Sequence, residues 1–285
     1  MTQKSDAQVF VRYQGHMRAI TLSSGDISHT LQTLSCPNLR SLYCYSFTCA
    51  ILETAYRSPL LESLTIRNFP IFNEESLGYL FNALKRLPFL KNLHLGFFNR
   101  INTGTAQRII EASRHCESLY LAWDPFRAES YGERPKPGYG TESVKNAMDQ
   151  MEGIQFRKLA IGLPSEEQES IILIPLLEKC HLLESFDLIY TRAKVTIQKI
   201  THILRSNPHR RLKSLYLGRS TPYTRNEATY DEDIISLLRV VGGQGNEGGK
   251  CAESMGERGI QTLTIDFNIF GLTVIQILPN VCQIH

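Results

Sequence analysis

The sequence predicts an α/β solenoid, in which short parallel strands stack edge to edge and helices alternate with them. Three observations carry this. An apolar phrase with the spacing i, i+3, i+5 recurs along the chain. Helix-patterned segments fall between the phrases. The composition, 42% hydrophobic and 21% charged over 285 residues, can bury a sizeable core and fits no fibrous or disordered class.

In chain order the phrase reads Met17-Ile20-Leu22, Leu39-Leu42-Cys44, Leu61-Leu64-Ile66, Leu90-Leu93-Leu95 and Cys116-Leu119-Leu121. It returns as Phe156-Leu159-Ile161, Leu183-Phe186-Leu188, Leu212-Leu215-Leu217 and Ile260-Leu263-Ile265. Steps between the middle positions are 22, 22, 29, 26, 40, 27, 29 and 48 residues. Most fall within the roughly 20–29 residues of short strand–helix repeats, and the two long steps carry insertions. Alternate side chains of a strand point the same way, so the second and third apolar residues enter the core and the residue between them faces out. That predicts an outward column of Thr21, Tyr43, Thr65, His94, Tyr120, Ala160, Asp187, Tyr216 and Thr264. Tyr45, Arg67 and Asp266 belong to the adjacent column.

Helices follow several of the phrases. Across Ser76–Leu87, Leu77, Leu80, Phe81 and Leu84 share one face at helical spacing. The segments TAQRIIEASRHC and VTIQKITHILR read the same way. Asn73, Thr105 and Thr196 are the expected N-caps, because their side-chain oxygens can accept from backbone N–H groups that lack a helical partner.

The totals exclude several classes. A net charge of +3 gives no basic face for tracking phosphates, so no nucleic acid is expected. No apolar run approaches the roughly 20 residues of a membrane span, and no membrane partner is expected. Residues 1–15 lack the apolar core of a signal peptide. The seven cysteines are odd in number and scattered, with no Cys-x-x-Cys pair. Neither zinc nor a disulfide framework is expected, and a reducing compartment, cytoplasmic or nuclear, fits best.

The phrases SCPNLRSLYC (35–44), HCESLYL (115–121) and KCHLLESFDL (179–188) resemble the leucine-rich repeats of the ribonuclease-inhibitor-like superfamily, in particular those of fungal F-box proteins. The resemblance covers residues 16–285 and implies a horseshoe of about nine repeats, with a concave parallel sheet and convex helices. It also implies a substrate-recognition part of a ubiquitin-ligase subunit. Residues 1–15 form a lead-in too short for an F-box, so the adaptor-binding half is expected to be missing. The C-terminal LTVIQILPNVCQIH reads as a helix running towards a further strand. The family's Asn, three residues after the last apolar position, is here Phe47, Phe69, Phe98 and Asp124, with Asn only at Asn268. An aromatic spine is therefore expected in place of an asparagine ladder.

Loop insertions are expected at about 125–140, rich in Pro, Gly and Tyr, and at about 242–259. The second contains Gly243–Gly248 in a G-x-G-x-x-G pattern, with Asp266 placed as a ribose ligand would be. A nucleotide-dependent oxidoreductase fragment is the alternative this raises. The short, apolar-poor segment after the glycines and the few residues beyond Asp266 favour a plain glycine-rich loop, so no cofactor is expected. The histidines form no H-x-x-x-H pair and no Ser lies in G-x-S-x-G. No catalytic or metal-binding residue is assigned.

The expected function is non-enzymatic docking of a protein target on the outward strand face. A ubiquitin-ligase complex is the implied context where the full-length protein carries an F-box; a stand-alone scaffold of regulator or sensor type is the variant without one. Tyr43, Tyr45, Thr65, Arg67, His94 and Tyr120 form the expected patch, bordered by Trp123, with Asp187 and Tyr216 further along. Tyr and Arg are enriched at binding hot spots. Tyr is also a good strand former, so plain scaffold is the reading to beat.

Overall fold

The second and third apolar positions of each phrase lie on a strand, and the first precedes it in the chain. The computed structural model describes residues 14–22, 35–69, 74–97, 101–123, 141–163, 166–190, 194–206, 212–217, 236–237, 240 and 262–265. The two expected insertions, the Gly243–Gly248 glycines, Asp266 and the C-terminal segment past 265 lie outside the described residues, as do Phe98, Asp124 and Asn268. The chain forms two units, Met1–Gly138 and Tyr139–His285.

The first unit opens with a 3-10 turn, Gln14–His16, and contains β1 (Ala19–Leu22), β2 (Ser41–Ser46), β3 (Ser63–Phe69), β4 (Asn92–Phe97) and β5 (Ser118–Trp123). Helices α1 (Cys49–Tyr56), α2 (Glu74–Lys85) and α3 (Thr103–Ala112) alternate with them from β2 onward. The second unit holds α4 (Thr141–Gln150), β6 (Lys158–Gly162), α5 (Glu166–Gln168), a π-helical turn (Glu169–Leu173) and α6 (Ile174–Lys179). It continues with β7 (Ser185–Tyr190), α7 (Lys194–Ser206), β8 (Ser214–Leu217) and β9 (Thr262–Ile265). Within each unit, strands adjacent in sequence pair in parallel. Parallel neighbours require a crossover, and described helices supply it from β2 to β5 and from β6 to β8.

The register follows the apolar phrase. Ile20, Leu42, Leu64, Leu93 and Leu119 stand opposite one another from β1 to β5, and Leu159, Phe186, Leu215 and Leu263 do so from β6 to β9. Leu42, Leu64, Leu93, Leu119, Leu159, Phe186 and Leu215 are all buried, and so are the third positions from Leu22 to Leu188. A slip of one residue would turn this whole set to solvent, which is why the pattern fixes the register. Of the first positions, Met17 alone among the described ones is only half-buried, on the outermost phrase.

The crossovers close in a repeated way. Leu39, Leu61, Leu90, Cys116 and Leu183 each donate a backbone bond to the carbonyl three residues earlier, at Cys36, Ser58, Leu87, Ser113 and Cys180. Those five residues are all fully buried. Where the small apolar thiol is replaced by serine, the hydroxyl is satisfied locally. Ser58 donates to Thr54 O and Ser113 to Ile109 O, each at 2.8 Å. Burial pushes the Cys44 and Cys116 thiols up to about 12, so they pack as small hydrophobes.

The helical faces match expectation. Leu77, Leu80, Phe81 and Leu84 are buried on α2, as are Ile197, Ile200 and Ile203 on α7. Two N-caps are corrected. The cap of α3 is Asn102, whose Oδ1 accepts from Thr105 N at 2.7 Å. Thr105 supplies the donor from inside the helix, because the carboxamide three residues upstream already reaches it. Thr196 also lies inside its helix, which begins at Lys194. Helix α2 starts at Glu74, as a cap at Asn73 requires, though Asn73 itself is outside the described residues.

An aromatic stack runs through the described residues of the expected spine. Phe47 and Phe69 lie with ring centroids 4.4 Å apart, and Phe69 meets Phe97 edge-on at 5.8 Å. Phe97 joins the stack where the β3–β4 register shifts; the expected Phe98 lies outside the described residues. Ile66 faces Leu95 but Phe69 faces Phe97, so Arg67 and Asn68 together oppose Gly96. This is a β-bulge, one extra residue on β3.

Candidate docking face on the first unit

The outward column exists as a cross-strand row. Tyr43 stands opposite Thr65, Thr65 opposite His94, and His94 opposite Tyr120. All four side chains are half-buried, with buried leucine, isoleucine or cysteine on either side of each along its strand. Parallel pairing about 4.8 Å apart brings flat side chains into stacking range. The His94 and Tyr120 rings do stack, with centroids 3.7 Å apart and 8° between their planes. Such a pair adds about 0.5–1.5 kcal/mol beyond its buried area. Tyr45 and Arg67 lie two residues further along β2 and β3, and both are exposed.

Trp123 ends β5 with its backbone opposite Phe97; its side chain is outside the described residues. Asp187 and Tyr216 belong to the second unit, where they stand opposite one another beside Ala160. Burial pushes the Asp187 carboxyl up from the usual carboxylate range, and a hydrogen bond with Ser185 works against that.

His94 is electrostatically defined. Burial pushes its pKa down to about 4, and the nearby Arg67 charge acts in the same direction. The ring is therefore neutral near pH 7 and presents one donor and one acceptor. The unfolded chain takes up this proton first, near pH 6.5, so the contribution to stability is complete above that pH. It is lost as pH falls from there towards about 4. Allowing for partial exposure, the expected loss is on the order of 1 kcal/mol. Urea unfolding at about pH 7 and about pH 4.5 measures it; a His94→Gln chain should lose that much less than the wild type. Identical losses in both chains would place the acid sensitivity elsewhere.

Sequence reasoning missed two further rows. Ser41, Ser63, Asn92 and Ser118 stand opposite one another two residues before the aromatic row and add hydroxyl and amide groups to the same face. At the strand entrances, Glu62 holds both Arg40 and Lys91, and Glu184 holds both Arg157 and Lys213. These cations draw the Glu62 and Glu184 carboxyls below their ordinary range, chiefly through the hydrogen bonds from Lys91 and Lys213. The backbone repeats there too. Arg40 O accepts from Glu62 N and Ser63 N, and Arg157 O from Glu184 N and Ser185 N. The signal was legible as a charge two residues before each middle apolar position, alternating in sign from Arg40 to Glu117.

Among the described residues no group of three His, Cys, Asp or Glu side chains could hold a metal ion, and no helix is long and apolar enough to cross a membrane. No protein-family model matches the chain, and no curated protein does.

Proposed function

We propose that this chain is a non-enzymatic protein-interaction module that docks a protein target on its outward strand face. In this reading the strand–helix units form a leucine-rich-repeat horseshoe of about nine repeats, and the outward face is its concave side. The observation that carries the proposal is the row Tyr43–Thr65–His94–Tyr120, an aromatic and hydrogen-bonding strip built in ladder register from four strands. A buried apolar side and a polar aromatic outer side on the same strands suit recognition of an extended partner surface. The likeness of the Cys36, Cys116 and Cys180 phrases to F-box repeats supports the same role at finer grain. The chain would be the substrate-recognition part of a cytoplasmic or nuclear ubiquitin-ligase subunit where the full-length protein carries an F-box. Without one it is a stand-alone scaffold.

Affinity purification with quantitative mass spectrometry tests the face. A partner held by the wild type should be lost when Tyr43 and Tyr120 are both changed to Ala, with each change weakening it by at least about 1–2 kcal/mol. Equal recovery by the folded double variant would remove this face from contention.

A further inference from the structure

We infer that the face of β1–β5 recognises a protein segment carrying a carboxylate side chain next to an aromatic or aliphatic one, with Arg67 as the anion-binding residue. The inference rests on the docking face proposed for this unit. Its first ground is charge. The five strands carry one formally charged side chain, Arg67; the remaining outward positions are Ala, Thr, Ser, Tyr, Asn and Gly, together with neutral His94. Among the other described cations of the unit, Arg40 and Lys91 share Glu62, Arg57 meets Glu53, and Arg86 and Arg108 lie over the Tyr56 and Phe81 rings, while Arg18, Lys85 and Arg114 lie outside the strands. Arg67 has no ion pair among the described residues, and it is exposed.

The second ground is the backbone. The register shift between Ile66 and Phe69 sets Arg67 on the bulge of β3. Bulges re-aim side chains and are common beside functional sites. The opposing residue, Gly96, has no side chain to cover the guanidinium, and a Cβ there would strike the Arg67 carbonyl group. The bulge thus leaves an uncovered cation beside the stacked His94–Tyr120 pair. A planar guanidinium in that setting matches a carboxylate bidentately, while the rings accept an adjacent flat or branched side chain.

The test is selection of a random peptide library displayed on phage against the full chain, followed by affinity measurement on synthetic copies of the enriched peptides. The expected result is enrichment of Asp or Glu beside Tyr, Trp, Phe or Leu. Arg67→Gln should weaken such a peptide by roughly ten- to a hundredfold. Changing the peptide's carboxylate to its amide should cost about as much, and the two changes together little more than either alone. Arg67 is exposed, so the variant keeps the fold. Peptides that need Tyr43 and Tyr120 yet ignore Arg67, or that are enriched in Lys or without acidic residues, overturn this inference while leaving the docking face standing. Peptides indifferent to Tyr43→Ala with Tyr120→Ala, or no enrichment at all, overturn both.

Discussion

Changing Phe69 to Ala should cost about 3–5 kcal/mol of stability, the largest loss expected from any single truncation in the first unit. The ring is fully buried, and it sits between Phe47 at 4.4 Å and Phe97 at 5.8 Å. Removing it deletes the middle of a three-ring stack, so both neighbours lose their packing partner at once. Strand backbone fixes position 69 on β3 and Phe97 on β4, so the cavity can close only partly, and the cost stays near the top of the range for Phe→Ala. Phe69→Leu retains most of the apolar volume and should lose clearly less. Urea unfolding followed by far-UV circular dichroism separates the two. A loss below about 1 kcal/mol for the alanine variant would mean that the aromatic stack is not the spine of this unit.

Gly96→Ala should destabilise by about 1–3 kcal/mol, although the same change at an unhindered glycine normally stabilises. The new Cβ would fall on the Arg67 carbonyl oxygen and lie 3.2 Å from its carbon. Both are backbone atoms of the bulge, so no side chain can swing aside, and relief requires β3 and β4 to separate. Gly78 on α2 is the matched control, because a Cβ there meets nothing within 4 Å. Gly78→Ala should gain about 0.5–1 kcal/mol, as expected for glycine within a helix. Opposite signs at the two glycines are the diagnostic result. A neutral or stabilising Gly96→Ala would show that the strands are not held this closely at Arg67. The same variant should also weaken any peptide that relies on the Arg67 guanidinium, since the bulge that presents it would have to move.

Most of the architecture was legible because it follows from local rules. Alternation along a strand and 3.6-residue spacing along a helix are written in consecutive residues, so Leu42 or Leu64 as core and Tyr43 or Thr65 as outward positions could be read directly. Turn closure was half visible. Cys36 and Cys180 stood out, whereas Ser58 and Ser113 at equivalent places did not, because their suitability depends on a carbonyl one helical turn back.

The sequence by itself determined which segments are strands, which face of β1–β8 is buried, and which side chains line the exposed row. Only the tertiary structure decided that Phe97 joins the spine, that Asn102 caps the helix ahead of Thr105, that His94 stacks neutral on Tyr120, and that Gly96 sits beneath a bulge carrying Arg67. Most of these are relations between elements. A register shift belongs to two strands together, and a depressed histidine pKa belongs to everything packed around the ring; neither leaves a mark in the period of one segment.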